Sequence, residues 1–445
     1  MFKRQIIGLV TLLLLLSGCS AANNQAAPTQ QGFLVDFGDS NRAKLSHKVA
    51  QMSSPQSTSR LRVLQLGDSH TAADLFSGQL RERFQHQFRS AGVGGIAPMF
   101  VPGQSHAQIS YRSNGWSLTS SRKSDHPDFP MGGFIATPQR KGAYITVQSK
   151  EISASQPMTI SLLVKQKSAG QPLRFTSAMS GTRVLKTHSL NRWEYVEVIG
   201  SLPFTVESSQ AGSAELGWVW LENQKGGGAV VTPVGVNGAV QDIWSRWSSR
   251  WVDDLRYSKA DLVILSYGTN EGFNNTLDPQ LVKQKLTEAV KLVRRTLPNA
   301  SVLIIGAPDS LDKKRVTPSE AEKALNNRLD NQLKLVKSDV EKARLMRNFM
   351  LDRRMLRLQE EKHLQQTCRD KQPVQLTEMK AVQEQVAREQ KTLYWDWMSA
   401  MGGACSIDDW YMQDLARGDF VHLNRAGYQR SADILYSELI ILLRQ

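Results

Sequence analysis

Residues 62–72, RVLQLGDSHTA, constrain this chain more than any other stretch. Val63, Leu64 and Leu66 form the short apolar run that a buried strand requires. Gly67 permits a tight turn, and Asp68-Ser69 stand where a helix over Thr71–Arg89 would begin. A serine at such a junction has its hydroxyl lifted above the sheet, with its own backbone N–H facing any oxyanion that forms beside it. The same two residues would also serve simply as helix caps. The rest of the chain has to decide between the two.

The N-terminus reads as an export signal occupying residues 1–19. Lys3-Arg4 supply a positive start, and Ile6 to Leu16 form an apolar core of eleven residues. That is short of the roughly 20 residues needed to span a bilayer. Leu16-Ser17-Gly18-Cys19 matches the bacterial lipobox, in which Cys19 is lipidated and becomes the new N-terminus. Ser20 stands where inner-membrane retention usually has Asp, so the expected location is the periplasm, anchored to the outer membrane. The alternative is an ordinary signal peptide with a coincidental cysteine. Residues 20–56 read as a polar tether followed by a small N-terminal extension. Net charge is +14, spread along the chain without a nucleic-acid-binding motif. It suits solubility, or contact with anionic polymers and membrane surfaces.

At 445 residues the chain exceeds one compact domain. Between residues 132 and 233 the texture changes to short, partly alternating segments such as Met158 to Val164 and Leu216 to Leu221, separated by Gly, Ser, Pro and Asn. That pattern predicts a β-sandwich inserted between residues 57–131 and 234–445 of an α/β domain. Asp261 to Ser266 and Ser301 to Ile305 are near-continuous apolar runs, as buried parallel strands require. Strands alternating with helices point to a doubly wound parallel sheet. Residues 320–391 are rich in Glu, Gln, Lys, Arg and Leu with a single proline, Pro373, and read as a long helical pair, an arm broken near Cys368 to Pro373. Trp218 and Trp220 share a strand face. Trp244, Trp247 and Trp251 recur at helical spacing. Both sets fit core packing better than a sugar platform.

The second chemical block is Asp419-Phe420-Val421-His422. Of eight histidines only His422 has Asp three residues before it. A carboxylate there can hold one ring N–H and leave the other nitrogen facing a serine, whose hydroxyl is a poor nucleophile until a base takes its proton. No histidine pair shows metal-ligand spacing such as H-x-x-x-H.

Gly67-Asp68-Ser69-His70, Gly268-Thr269-Asn270-Glu271 and Asp419–His422 together resemble the SGNH (GDSL-type) hydrolases. His70 stands where that family usually has Leu. The resemblance implies Ser69, His422 and Asp419 as the triad. It implies an oxyanion hole of the Ser69 and Gly238 amides, with Gly235 as the neighbouring alternative, and the Asn270 side chain. It calls for no cofactor and no metal. A jelly-roll insertion of carbohydrate-binding-module type, and Tyr394-Trp395-Asp396-Trp397 ahead of the last block, resemble the peptidoglycan O-acetylesterases. The expected substrate is therefore O-acetylated peptidoglycan or a related polysaccharide. The expected partners are that polymer and, through the lipid, a membrane, with no nucleic acid. An O-acetyltransferase with the same triad and a non-catalytic wall-binding lipoprotein remain as alternatives. In an oxidising compartment Cys368 and Cys405 could pair, tying the arm to the catalytic end, or stay as buried thiols.

Overall fold

The computed structural model describes residues 29–125, 128–312, 320–369 and 371–445. The leader, Cys19 and most of the tether lie outside the described residues. The organising element is a seven-stranded sheet in the order Thr29–Gln31, Leu34–Asp36, Leu393–Trp395, Ser301–Ile305, Leu262–Ser266, Arg60–Gly67, Gly228–Gly235. The five strands from Leu393–Trp395 to Gly228–Gly235 are parallel, and the N-terminal hairpin adds antiparallel strands at one edge.

The apolar runs divide by period two, because successive strand side chains point to opposite faces. Leu61, Val63, Leu262, Ile264, Leu303 and Ile305 enter a core shared with helices Phe76–Phe88 and Arg425–Arg444. Leu64, Leu66, Val263, Leu265, Val302 and Ile304 enter the core on the other face, with helices Trp251–Tyr257, Pro279–Thr296 and Leu376–Glu389. The sheet is thus covered on both sides, which is why its strands read as continuous apolar runs. Chain order reverses where Arg60–Gly67 sits between Gly228–Gly235 and Leu262–Ser266. Open α/β sheets bind ligands at the carboxyl ends of the strands beside such a switch point.

The inserted sandwich pairs two antiparallel sheets of five and six strands around a core that includes Ile160, Leu162, Phe175, Phe204 and Leu216. Its limits differ from the expected 132–233. Gly92–Ile96 pairs with Ala214–Asn223, and Ser110–Asn114 and Trp116–Ser120 belong to the two sheets, so the sandwich begins well before residue 132. Gly92–Ile96 is glycine-rich and Ser110–Asn114 is polar, so neither carries an alternating signal and their partners define them. At the other end Gly228–Gly235 already pairs with Arg60–Gly67, so the chain is back in the hydrolase sheet before residue 234.

Three further expectations change. The helix expected over Thr71–Arg89 is two helices, Ser69–Ala72 and Phe76–Phe88, broken at Asp74 with φ 47°. Asp74 takes this backbone while accepting from Ser77 Oγ and pairing with buried Arg81 at 2.9 Å. Trp244 lies in a 3-10 helix, Gln241–Arg246, and Trp251 starts a separate α-helix, so the three tryptophans do not share one helix. They still pack on one another, with ring centroids 4.9–6.4 Å apart. The pair expected over 320–391 is three helices, Glu320–Leu335, Asp339–Arg369 and Leu376–Glu389. The last buries Met379, Val382 and Val386 in the hydrolase core, leaving the first two as the arm. A Cys368–Cys405 disulfide ties the end of the arm to the segment before Ser406–Met412.

Candidate active site

Arg60–Gly67 ends in a turn made possible by its glycine, since a Cβ on Gly67 would lie 2.6 Å from the Ser266 carbonyl. Asp68 then caps the short helix, its carboxylate accepting the His70 amide at 3.0 Å. Asp68 therefore caps, and Ser69 is left half-buried at the helix start. Burial, reinforced by the nearby Glu271 charge, pushes the Asp68 carboxyl up to about 7.

The structure brings the predicted Ser69, His422 and Asp419 into one line. His422 Nε2 is 2.9 Å from Ser69 Oγ, and Nδ1 is 2.9 Å from Asp419 Oδ2. Asp419 Oδ1 accepts the backbone N–H groups of Val421 and His422, each at 2.9 Å. Burial opposes charge on Asp419, but hydrogen bonds from the His422 ring and these two amides outweigh it. Its carboxyl is held well below the usual carboxylate range. An ionised Asp419 fixes the proton of neutral His422 on Nδ1, so Nε2 faces Ser69 as an acceptor. That arrangement can take the serine proton.

The loops that carry Gly238 and Asn270 are tied to one another. Asn270 Nδ2 donates to the Ala239 carbonyl at 2.9 Å, leaving its second N–H available. Glu271 accepts from the Gln241 amide at 2.6 Å and the Gly268 amide at 3.0 Å, bracing both loops from below. Gly238 has φ 68°, and a Cβ there would strike the Arg122 guanidinium at 2.5 Å. Gly235 instead lets the first helix approach the sheet, since a Cβ on it would meet the Ala72 amide at 2.2 Å. Packing thus accounts for Gly235, while Gly238 stands next to Ala239, on the loop that Asn270 holds.

His70 is buried behind His422, with ring centroids 5.3 Å apart, and also contacts Trp397 and Tyr428. Tyr428 Oη lies 2.8 Å from its Nδ1. Burial, with the His422 charge second, pushes the His70 ring down to about 3. It supports the imidazole of His422 and carries no charge at neutral pH. Trp395 and Trp397 are buried and donate to Glu438 and Ser431, so this pair packs behind the site. Sequence reasoning missed Glu271 as a brace and Arg122 beside Gly238. Glu271, three residues after Gly268, has capping-box spacing that could have found it, whereas its contact with Gln241 and the approach of Arg122 to Gly238 join distant segments and carry no local signal.

Comparison with known proteins places families on both parts of the chain. The peptidoglycan O-acetylesterase N-terminal family matches residues 91–205, and the GDSL-like lipase/acylhydrolase family matches residues 205–430. A solved peptidoglycan O-acetylesterase is 32% identical, with a TM-score of 0.73 over 93% of this chain and 99% of its own. A carbohydrate-binding module from Cellvibrio mixtus lichenase 5A is 16% identical, with a TM-score of 0.19 over 25% of this chain and 90% of its own. A family two carbohydrate esterase from Cellvibrio japonicus is 9% identical, with a TM-score of 0.17 over 52% of this chain and 87% of its own. Comparison with curated proteins gives no match. With a GDSL-type block on a doubly wound sheet, and near-complete overlap with a solved peptidoglycan O-acetylesterase, the chain belongs to the GDSL-like acylhydrolases as a peptidoglycan O-acetylesterase-like serine esterase.

Proposed function

We propose that this protein is an exported lipoprotein that removes O-acetyl groups from peptidoglycan through an acetyl-serine intermediate. The observation that carries the chemistry is the line from Asp419 through His422 to Ser69. His422 Nε2 takes the Ser69 proton as Oγ attacks the acetyl carbonyl. The amides of Ser69 and Gly238 and the second N–H of Asn270 stabilise the oxyanion. The tetrahedral adduct collapses, the sugar oxygen leaves with the proton from His422, and acetyl-Ser69 remains. Water, deprotonated by His422, attacks the acetyl carbon. Acetate departs and Ser69 regains its proton.

Anchoring rests on the lipobox at residues 16–19 and on the polar tether that follows. Two acyl chains or more on Cys19 would hold the enzyme at a membrane without a spanning helix.

Acetate release from O-acetylated peptidoglycan tests the reaction, with Ser69→Ala as control and a muropeptide acceptor in parallel. Acetate release that disappears in Ser69→Ala supports the esterase. Acetyl found mainly on the acceptor would make the enzyme a transferase. Mass spectrometry of the membrane-extracted N-terminus, with and without Cys19→Ala, tests the anchor.

A further inference from the structure

A cavity of about 360 Å³ lies between the sandwich and the first helix of the hydrolase, and the chemistry at Ser69 does not use it. Small-molecule sites begin at roughly this size. Thr71, Ala72 and Gly235 form its hydrolase side, placing it two to three residues along the helix from Ser69. Met99, Val101 and Ile109 make its sandwich wall largely apolar.

Two buried N–H groups in this lining have no acceptor. Trp218 is 4% exposed and its Nε1 is unpaired. Glycine at position 95 admits the indole, since a Cβ there would come within 2.1 Å of Nε1. His106 Nδ1 accepts the Gln108 amide at 3.2 Å, so the neutral ring carries its proton on Nε2, which is also buried and unpaired. Burial, opposed by the Asp74 carboxylate, pushes this ring down to about 4, and it is neutral at neutral pH. Buried donors are nearly always satisfied, because leaving one unmade destabilises the fold. Two in the lining of one apolar cavity indicate an occupant that brings an acceptor.

We propose that this cavity binds the acetamido group of an N-acetylated sugar in the glycan whose ester Ser69 attacks. The carbonyl oxygen accepts from Trp218 Nε1–H and His106 Nε2–H, and the methyl packs on the apolar wall. A carbonyl oxygen has two lone pairs, matching the two donors. A carboxylate fits poorly, because the lining offers no cation and Asp74 already lies 3.6 Å from His106. The amide of an acetamido group also resists the attack that cleaves an ester, so it can serve as a handle beside the triad. The inference rests on peptidoglycan, an N-acetylated glycan, being the substrate.

The full chain carrying Ser69→Ala is titrated with N,N′-diacetylchitobiose and with cellobiose, which lacks acetamido groups, by calorimetry. Diacetylchitobiose binding at least about tenfold tighter is expected, with Trp218→Phe weakening it by about tenfold. Ala97→Phe, which fills the cavity, should abolish it. Near-UV circular dichroism establishes that each variant is folded. Equal binding of the two disaccharides, or binding unchanged in both variants, overturns the proposal. In the Ser69 background, Trp218→Phe should raise KM for O-acetylated peptidoglycan severalfold and leave 4-nitrophenyl acetate hydrolysis unchanged. Diacetylchitobiose binding through Trp218 without peptidoglycan deacetylation would retain the acetamido site and refute the substrate. Deacetylation with KM insensitive to Trp218→Phe would do the reverse.

Discussion

Replacing Asp419 by Asn should be more damaging than replacing it by Ala, although Asn is the closer mimic. Asp419 Oδ1 accepts two backbone amides while Oδ2 accepts the His422 ring N–H. In Asp419→Asn the amide oxygen must stay on the two backbone donors, so the NH₂ group turns to His422 Nδ1. That forces Nδ1 to accept, moves the ring proton to Nε2, and leaves no base facing Ser69. Reversing the amide would forfeit two hydrogen bonds of about 1 kcal/mol each, holding the productive form to a few per cent. Loss of the carboxylate charge is added to this. A charge-assisted hydrogen bond contributes about 1.5–3 kcal/mol, and the lower end applies because solvent reaches both side chains. Asp419 is 46% and His422 32% exposed. Asp419→Ala loses the carboxylate with its charge-assisted bond to the ring and its two backbone contacts, but it leaves His422 free to keep its proton on Nδ1, so activity should fall about tenfold, whereas Asp419→Asn should fall roughly 300-fold. The assay is kcat/KM for 4-nitrophenyl acetate at pH 7, with circular dichroism as a folding control. An Asn variant as active as the Ala variant would refute the tautomer argument.

Three other outcomes follow from the same geometry. His70 should contribute an acid-sensitive part of stability: unfolded, it takes a proton below about 6.5, while folded it resists down to about 3. That stability is complete above the unfolded value and is lost as pH falls towards 3, at up to about 1.4 kcal/mol per pH unit. His70→Gln, which still offers Tyr428 an acceptor, should flatten the slope seen by urea denaturation between pH 6.5 and 4.5. Asp254 accepts Tyr195 Oη and the Met131 amide from the sandwich side and Arg250 from its own side. Asp254→Ala should cost about 3–5 kcal/mol and speed hydrogen exchange at the Trp193–Gly200 strand, and unchanged exchange there would count against this joint. Reduction of Cys368–Cys405, which are 37 residues apart, should lower stability by about 4 kcal/mol on the chain-entropy estimate. A melting temperature unaffected by dithiothreitol in the wild type would oppose that.

Much of the hydrolase is legible in the amino-acid order. The near-continuous apolar runs at 63–66, 262–266 and 301–305 name strands covered on both faces, and the polar side chains among them, Gln65, Ser266 and Ser301, are buried too. Asp419 and His422, three residues apart, meet on one turn, so their pairing is a local fact. The glycines of GDS and GTNE mark turns that a side chain would block. The break in the helix over 71–89 is not legible, because Asp74 takes a left-handed backbone and its carboxylate also accepts the Ala107 amide, 33 residues away. Nor is the start of the sandwich, because Gly92–Ile96 becomes a strand only when Ala214–Asn223 lies beside it.

Amino-acid order alone determined which segments must be buried, where the chain must turn, and which acid holds which imidazole. These depend on periodicity and on contacts within one turn. Only the tertiary structure placed His422 2.9 Å from Ser69 across 353 residues, tied the loops of Gly238 and Asn270 through Glu271, and brought the unpaired Trp218 and His106 donors to one cavity. Each of these joins distant segments, and such contacts exist only once the sheet order and the sandwich interface have formed together.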